Sequence, residues 1–233
     1  MTLQGLPFTK GAAPSKGTPL YMKKRILCYG DSNTWGYIPT GGRYDEDTRW
    51  PMRMQQLLGP DYAVIEEGLH GRTFVLDDPT EGGYKSGVKY LPPCLMTHNP
   101  LDVLIIMLGT GDTKRRFGLT PLTISQGMMQ LVRTAKFYGA NAAGDPPHII
   151  VAAPAPILDN LMDTRHGECF GPQAVEVSRA LGPELHRAAK LMRVDFFDAA
   201  PCAEVSPLDA VHLTAKGHLQ LAEAMARKIR TII

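Results

Sequence analysis

Short apolar runs alternate along most of this chain with longer segments in which apolar residues recur every three or four positions. Five runs are continuous enough to form buried strands, at residues 25–29, 63–66, 103–108, 148–152 and 194–197. The segments between them have the period of amphipathic helices. Strands and helices that alternate in this way predict a parallel sheet with helices on both faces. We therefore expect an α/β protein with a three-layer α/β/α architecture and a five-stranded parallel sheet.

Helix ends are predicted where a capping residue precedes a hydrophobic stripe. Thr120 stands before Pro121, a residue suited to the first helical turn, and Thr214 is placed to cap the final helix. An apolar stripe also runs from residue 177 to residue 192. Gly182-Pro183 interrupts this stripe, and we expect it to kink or split the helix.

The chain reads as one catalytic domain, since it shows no break in composition that would mark a second. Residues 1–21 are rich in Gly, Pro, Thr and Lys without a regular period, which predicts a flexible N-terminal leader, or an arm that contacts another subunit, before a domain at 22–233. Two long polar loops, at 37–49 and 74–88, are candidates for functional or subunit contacts, although ordinary surface loops have the same composition.

Composition and charge exclude several function classes. Lys and Arg number 25 against 23 Asp and Glu, a net charge of +2, which is too balanced for binding nucleic acid or an anionic membrane. The four cysteines form no C-x-x-C pair, so neither a zinc knuckle nor a redox dithiol is indicated. The start of the chain does not resemble a signal peptide, and the longest apolar run, 103–108, is too short to span a bilayer. We expect a cytoplasmic protein without a metal.

Four separated segments contain the residue types that ester hydrolysis needs. They are Gly30-Asp31-Ser32-Asn33, Gly68, Gly109-Thr110-Gly111-Asp112 and Asp209-Ala210-Val211-His212. Each falls where an apolar run ends, and in an open α/β sheet the strand ends face the ligand. Ser32 follows the first strand directly, so its hydroxyl is placed to face a cleft. Taken alone, however, a serine at this position fits a helix cap equally well.

Asp209 and His212 supply the base that would activate such a serine. A hydroxyl is a weak nucleophile until a base takes its proton, and the base works best when a carboxylate fixes its tautomer. With two residues between them, both side chains can lie on one side of a tight loop. The other histidines lack such a neighbour and are expected at the surface or in the core: His70, His98, His148, His166, His186 and His218. Metal binding by the pair is less favoured, because no further ligand occurs at ligand spacing.

These segments resemble the SGNH (GDSL-type) hydrolases, and within them the arylesterase/acyltransferase branch. The resemblance covers nearly everything from Arg25 onward and is carried by residues 30–37, 49–50, 64–69, 77–79, 90–110, 112–114 and 209–212. It implies a flavodoxin-like SGNH hydrolase fold and a serine esterase without a cofactor. Such an enzyme forms an acyl-enzyme from a small-molecule ester, then passes the acyl group to water, or to an alcohol or peroxide. The branch also implies a homo-oligomer whose loops narrow the pocket entrance.

The resemblance assigns roles to individual positions. It implies that Ser32 is the nucleophile, His212 the base and Asp209 its orienting partner. The backbone amides of Ser32 and Gly68 become oxyanion donors. Asp31 and Trp35 are assigned to the substrate pocket.

One position departs from the family pattern. Where the family has an asparagine whose side-chain amide is a third oxyanion donor, this chain has Gly111. Loss of one such donor lowers kcat by roughly 10²–10³-fold, so we expect reduced activity. The N–H of Gly111, a water molecule or the side chain of Asn33 are possible substitutes. If none of them acts, Gly111→Asn should raise kcat.

Two alternatives remain open at this point. The glycine also fits a catalytically weakened or non-catalytic relative that binds an acylated carbohydrate. A nucleotide binder that uses the turn at Ser32 as a phosphate cradle has weaker support. The basic run at residues 114–116 is either solvated or favours an anionic group at the pocket mouth.

Overall fold

A computed structural model describes residues 23–233 of the protein. The predicted leader, residues 1–21, lies outside the described residues and stays a prediction.

Five strands form one sheet in the order β2-β1-β3-β4-β5, and every neighbouring pair is parallel. They are β1 (Lys24–Gly30), β2 (Tyr62–Gly68), β3 (Val103–Met107), β4 (His148–Ala153) and β5 (Asp195–Asp198). All five predicted strands are confirmed, with ends that differ from the prediction by at most two residues. The agreement is close because buried parallel strands are continuously apolar and therefore easy to recognise.

Helices cover both faces of the sheet in the part of the chain that the structure describes. They are α1 (Ser32–Trp35), α2 (Trp50–Leu58), α3 (Gly87–His98), α4 (Pro121–Tyr138), α5 (Gly167–Phe170), α6 (Gln173–Met192) and α7 (Ala215–Arg230). Leu27 and Tyr29 of β1 point into a core shared with α3, α4 and α6. Ile26 and Cys28 point into the opposite core, shared with α2 and α7. This alternation along one strand confirms the three-layer α/β/α architecture.

The two predicted helix caps are confirmed. The Thr120 hydroxyl accepts a hydrogen bond from the Thr123 N–H at 3.2 Å, and the Thr214 hydroxyl accepts one from the Gly217 N–H at 2.9 Å. Each bond satisfies a backbone donor that the first helical turn would otherwise leave free.

The predicted break at Gly182-Pro183 is wrong, because α6 runs through it as one 20-residue helix. Pro183 has no backbone N–H to donate to the Arg179 carbonyl. Because Pro183 is exposed, that carbonyl faces water. Leu181 and Leu185 are fully buried on the opposite face, and their packing outweighs the local preference.

Helix α3 was missed by the sequence analysis for a related reason. Pro92 and Pro93 lie inside it, but Leu91 and Leu95 are fully buried on one face and anchor it to the sheet. Within residues 23–233, no helix is both long and apolar enough to cross a membrane.

Candidate active site

Ser32, His212 and Asp209 come together at the carboxyl ends of the strands. Ser32 is the first residue of α1, directly after the turn that ends β1. Its Oγ lies 2.9 Å from Nε2 of His212, and Nδ1 of the same ring lies 2.7 Å from Oδ2 of Asp209. All three residues are buried. The structure therefore places the three predicted residues in one continuous hydrogen-bonded chain, although 180 positions separate the serine from the histidine.

The backbone of the 209–212 loop orients the carboxylate. Oδ1 of Asp209 accepts the N–H groups of Val211 at 3.1 Å and His212 at 3.0 Å, which leaves Oδ2 for the imidazole. Ala210, the residue after Asp209, has a φ of +63°, a left-handed conformation that closes the loop tightly. Burial raises the pKa of Asp209, but the bonds from His212 and the backbone outweigh it and hold the pKa below its ordinary value.

Asn33 fastens this loop to the serine segment. Its Nδ2 donates to the Val211 carbonyl at 3.3 Å, and its Oδ1 accepts the Leu213 N–H at 3.0 Å. Because both ends of the amide are engaged and Asn33 does not line the cavity that contains Ser32, it is not the substitute oxyanion donor that the sequence left open. It is a positioning residue that holds His212 opposite Ser32.

Two buried carboxyl groups lie beside the nucleophile. Oδ1 of Asp31 caps α1 by accepting the Asn33 N–H at 2.9 Å, and its buried Oδ2 has no partner within the described structure. Burial raises the pKa of Asp31 to about 6. The Phe74 N–H donates to both carboxyl oxygens of Asp112, at 3.1 Å to each. Burial raises the pKa of Asp112 to about 8. Burial thus favours the protonated form of Asp112, which holds the loop after residue 73 through the Phe74 N–H.

A cavity of about 180 Å³ opens in front of Ser32. Asp31 lines it, as assigned from the sequence. Trp35, also assigned to the pocket, does not line it: its ring packs against the rings of His70, with centroids 3.9 Å apart, and Tyr37, at 6.3 Å. These two residues stand between Trp35 and the cavity. The rings that line the cavity on this side are therefore those of His70 and Tyr37.

Two histidines that the sequence analysis placed at the surface or in the core line the cavity instead. Burial, together with the nearby His212, lowers the pKa of His70 to about 4, so its ring is neutral. Burial also lowers the pKa of His166. Nε2 of His166 lies 3.8 Å from Oδ2 of Asp209 and is buried, with no hydrogen-bond partner among residues 23–233.

The structure places Gly71 rather than Gly68 at the cavity. Gly68 lines a separate groove, together with Arg72 and Tyr90. A Cβ at Gly68 would come within 2.2 Å of the Trp35 backbone nitrogen, so this glycine lets α1 pack against β2. Gly71 lines the cavity, with φ at +66°, and in the described residues its N–H donates no hydrogen bond.

Gly111 also lines the cavity, and the Gly71-Arg72 turn lies directly against it. A Cβ at position 111 would be 2.6 Å from the Arg72 carbonyl oxygen, closer than real Cβ contacts allow. The space that the family's asparagine would need is therefore filled by backbone. The neighbouring Thr110 lines the same cavity, and its buried hydroxyl has no partner within the described chain.

The basic run 114–116 is not simply solvated. Nζ of Lys114, buried at 4% exposure, donates to Asp78 Oδ2 at 3.0 Å and to Glu81 Oε1 at 2.6 Å. Arg116 pairs with the other oxygen of Asp78 at 3.2 Å. Because these carboxylates compensate the charges of Lys114 and Arg116, and because Glu81 and Lys114 both line the cavity, one wall is an ion-pair cluster.

Among residues 23–233, two groups of three side chains are close enough to hold a metal ion. Glu67, Cys94 and His98 form one, beside the groove that contains Gly68. His166, Asp209 and His212 form the other. The sequence offered no third ligand near the Asp209–His212 pair, and the fold supplies one in His166.

Comparisons with known proteins agree with this geometry. The sequence profile of the GDSL-like Lipase/Acylhydrolase family matches residues 28–219. An aryl esterase from M. smegmatis is 37% identical, with 90% of this chain and 100% of that chain covered and a TM-score of 0.83. Est24, a carbohydrate acetylesterase from Sinorhizobium meliloti, is 38% identical over 91% and 100% of the two chains, also with a TM-score of 0.83.

A further structure from S. meliloti, a carbohydrate acetylesterase family member, is 34% identical over 90% of this chain and 98% of that chain, with a TM-score of 0.84. Comparison with curated proteins gives no match. The profile match and the solved relatives extend over most of the chain and include the segments of Ser32, Asp209 and His212. The chain therefore belongs to the GDSL-like lipase/acylhydrolase family, the SGNH hydrolases.

Proposed function

We propose that the protein is a serine esterase that removes small, acetyl-like acyl groups through an acyl-enzyme on Ser32. The observation that carries this proposal is the hydrogen-bonded chain from Ser32 Oγ through His212 to Asp209. A serine that only capped a helix would not need a buried imidazole at 2.9 Å. A phosphate cradle would not need one either, so the nucleotide-binding alternative loses its support.

The reaction follows from the positions of the protons. As Ser32 Oγ attacks the ester carbonyl carbon, His212 Nε2 takes the hydroxyl proton, and Asp209 stabilises the resulting imidazolium through Nδ1–H. The tetrahedral intermediate then collapses, and His212 gives the proton to the leaving alcohol. In the second half, His212 takes a proton from water as the water attacks the acyl-enzyme. The acid leaves, and Ser32 regains its proton.

The oxyanion would be stabilised largely by backbone. We assign donor roles to the N–H groups of Ser32 and Gly71, because Gly71 shares the cavity with the nucleophile and its N–H donates no hydrogen bond in the described structure. The Thr110 hydroxyl is placed to act as the third donor, since it is buried at the same cavity without a partner. These groups together replace the amide that a glycine at position 111 does not provide.

The size and polarity of the cavity favour small acyl groups and water as the acceptor. At about 180 Å³ the cavity is smaller than the roughly 300–1,000 Å³ typical of sites for drug-sized ligands. The Glu81–Lys114 ion pair on its wall favours hydration, and a hydrated cavity favours hydrolysis over transfer to an alcohol or peroxide. We propose acetate esters of aryl or sugar alcohols as the substrate class, in line with the named relatives.

Labelling with a fluorophosphonate tests this function. We expect one adduct, located on Ser32 by mass spectrometry, and no adduct in Ser32→Ala or in protein unfolded before treatment. Hydrolysis of p-nitrophenyl acetate, butyrate and octanoate should then decline as the acyl chain grows. Absence of labelling in folded protein would favour the non-catalytic alternative, a module that binds an acylated carbohydrate.

A further inference from the structure

His166 is fixed in place beside the triad by its own segment of chain. Its backbone N–H donates to the Thr164 hydroxyl at 3.2 Å; that hydroxyl donates to the Leu161 carbonyl at 2.8 Å and lies 3.3 Å from the carbonyl oxygen of Asp209. The next residue toward the N-terminus, Arg165, donates to the Pro39 carbonyl at 2.8 Å. The segment that carries His166 is therefore fixed by its own turn and by a contact to the 37–49 loop, and it places the imidazole at the cavity wall.

The ligand atoms around Asp209 have the spacing of a metal site. Oδ2 of Asp209 lies 3.8 Å from Nε2 of His166 and 2.7 Å from Nδ1 of His212, and the ligand atoms of all three residues lie within 4.8 Å of one another. Two nitrogen or oxygen ligands on one tetrahedral zinc ion stand about 3.3 Å apart, given bonds of about 2.0–2.1 Å. The two distances bracket this value, and the remaining pair of ligand atoms lies within 4.8 Å.

The buried Nε2 of His166 is the second observation that points to a ligand. A buried ring nitrogen is ordinarily paired, because leaving it without a partner carries a desolvation penalty. Here no group among residues 23–233 bonds to it, and the triad carboxylate lies 3.8 Å away. A divalent cation between the two would satisfy both.

We propose that His166, Asp209 and His212 form an inhibitory site for zinc. The inference rests on the proposed esterase function and assigns a regulation to the same site. The zinc ion takes the place of the proton on Nδ1 of His212, which is released to solvent, while Nε2 takes up a proton from water. In that tautomer Nε2 donates to Ser32 Oγ and has no lone pair to accept the serine proton, so the base is switched off.

The cavity provides the route of entry and the open coordination position. His166 and His212 both line it, and the side chain of His166 is 22% exposed. The positive charge of Lys114 on the same wall is compensated by Asp78 and Glu81. A water molecule in the cavity would complete a three-ligand site, the arrangement common where zinc keeps one position open.

The other three-residue group, Glu67, Cys94 and His98, supplies the matched control. Nε2 of His98 is already paired with Glu67 at 2.9 Å, and this group lies away from the cavity. Zinc bound there would not contact His212. Cys94→Ser therefore removes a zinc ligand without touching the proposed inhibitory site.

The kinetic test uses protein treated with a chelator and then titrated with zinc at buffered free concentrations. We expect inhibition of p-nitrophenyl acetate hydrolysis that EDTA reverses. Inhibition of each variant is expressed as a fraction of that variant's own rate without zinc. His166→Gln and His166→Phe should each raise the half-inhibitory zinc concentration at least tenfold, because even loss of an outer contact to a zinc site costs roughly 10–100-fold in affinity. Cys94→Ser should leave it unchanged. Inhibition that persists in both His166 variants, or that Cys94→Ser abolishes, would overturn the proposal.

A binding measurement separates this inference from the proposed function. Calorimetric titration of Ser32→Ala with zinc requires no turnover. We expect a site that is present in Ser32→Ala and lost in Ser32→Ala/His166→Gln, while Ser32→Ala/Cys94→Ser retains it. If the protein hydrolyses no ester but this site is found, only the proposed function fails. If the site is missing while the wild type hydrolyses esters, only the zinc site fails.

Discussion

Replacing Gly111 tests whether backbone has taken over the role of the missing asparagine. A Cβ at this position would lie 2.6 Å from the Arg72 carbonyl oxygen and 3.2 Å from the carbonyl oxygen of Gly71. The Gly71-Arg72 turn would have to move, yet the Arg72 guanidinium is held by the Gly30 carbonyl at 3.0 Å and by the face of the Tyr29 ring. Overpacking of this kind costs about 1–3 kcal/mol of stability.

The effect on rate should exceed the effect on stability. If the turn moves, the Gly71 N–H leaves its place in the cavity, and loss of one oxyanion donor lowers kcat by roughly 10²–10³-fold, or about 3–4 kcal/mol of transition-state stabilisation. Gly111→Ala should therefore lower kcat for p-nitrophenyl acetate by about 100-fold with little change in KM. Gly111→Asn adds an amide but the same Cβ, so it should also lower kcat. This expectation reverses the one that the sequence alone suggested.

Gly182→Ala is the matched control, because a Cβ there meets nothing within 4 Å. It should leave kcat unchanged and raise the free energy of unfolding by about 0.4–1 kcal/mol. Steady-state kinetics and denaturant unfolding of the three variants decide the matter. A Gly111→Asn enzyme that is faster than the wild type, or a Gly111→Ala enzyme with an unchanged kcat, would refute the idea that the Gly71-Arg72 turn supplies the donor.

Three other predictions concern the oxyanion, the buried acids and assembly. Thr110→Val should lower kcat in steady-state hydrolysis and change KM less. Thr110→Ser, which keeps the hydroxyl, should retain most of the rate. Equal losses of kcat in the two variants would exclude a donor role for Thr110. Because burial raises the pKa of Asp112 to about 8 in the folded protein, this carboxyl ionises at a lower pH in the unfolded chain than in the folded one. Its contribution to stability should thus be lost between about pH 4 and pH 8, and Asp112→Asn should flatten that loss in denaturant unfolding at pH 5 and pH 8. We also expect a homo-oligomer in light scattering, and Tyr84→Asp, in the 74–88 loop and 62% exposed, should weaken it; a monomeric wild type would contradict this.

The triad was predictable because its spacing and its topological positions are both encoded locally. Ser32 follows a recognisable strand, and Asp209 and His212 precede a recognisable helix, so the sheet brings them together. The cavity wall was not predictable in the same way. Gly71, His70 and His166 lie in irregular segments without a hydrophobic period, and their positions depend on how those segments pack against the finished sheet.

Where local rules failed, tertiary packing had outweighed them. Pro183 does not break α6, because the buried face of the helix stabilises it more than one lost hydrogen bond weakens it. Trp35 was assigned to the pocket from the family resemblance, but the turn after β2 places His70 against its ring. The glycine at position 71, in a His-Gly-Arg sequence just after a strand, was the signal that a tight turn approaches the nucleophile.

The amide of Asn33 joins the nucleophile segment to the loop that carries the base, although Ser32 and His212 lie 180 positions apart in the sequence. A nascent chain on the ribosome exposes the serine early, but the histidine is synthesised only shortly before the last helix. Until that helix docks, the serine has no base and is chemically inert. A half-finished chain is thus unable to attack acyl groups around it, and the capacity to react arises only when folding is complete.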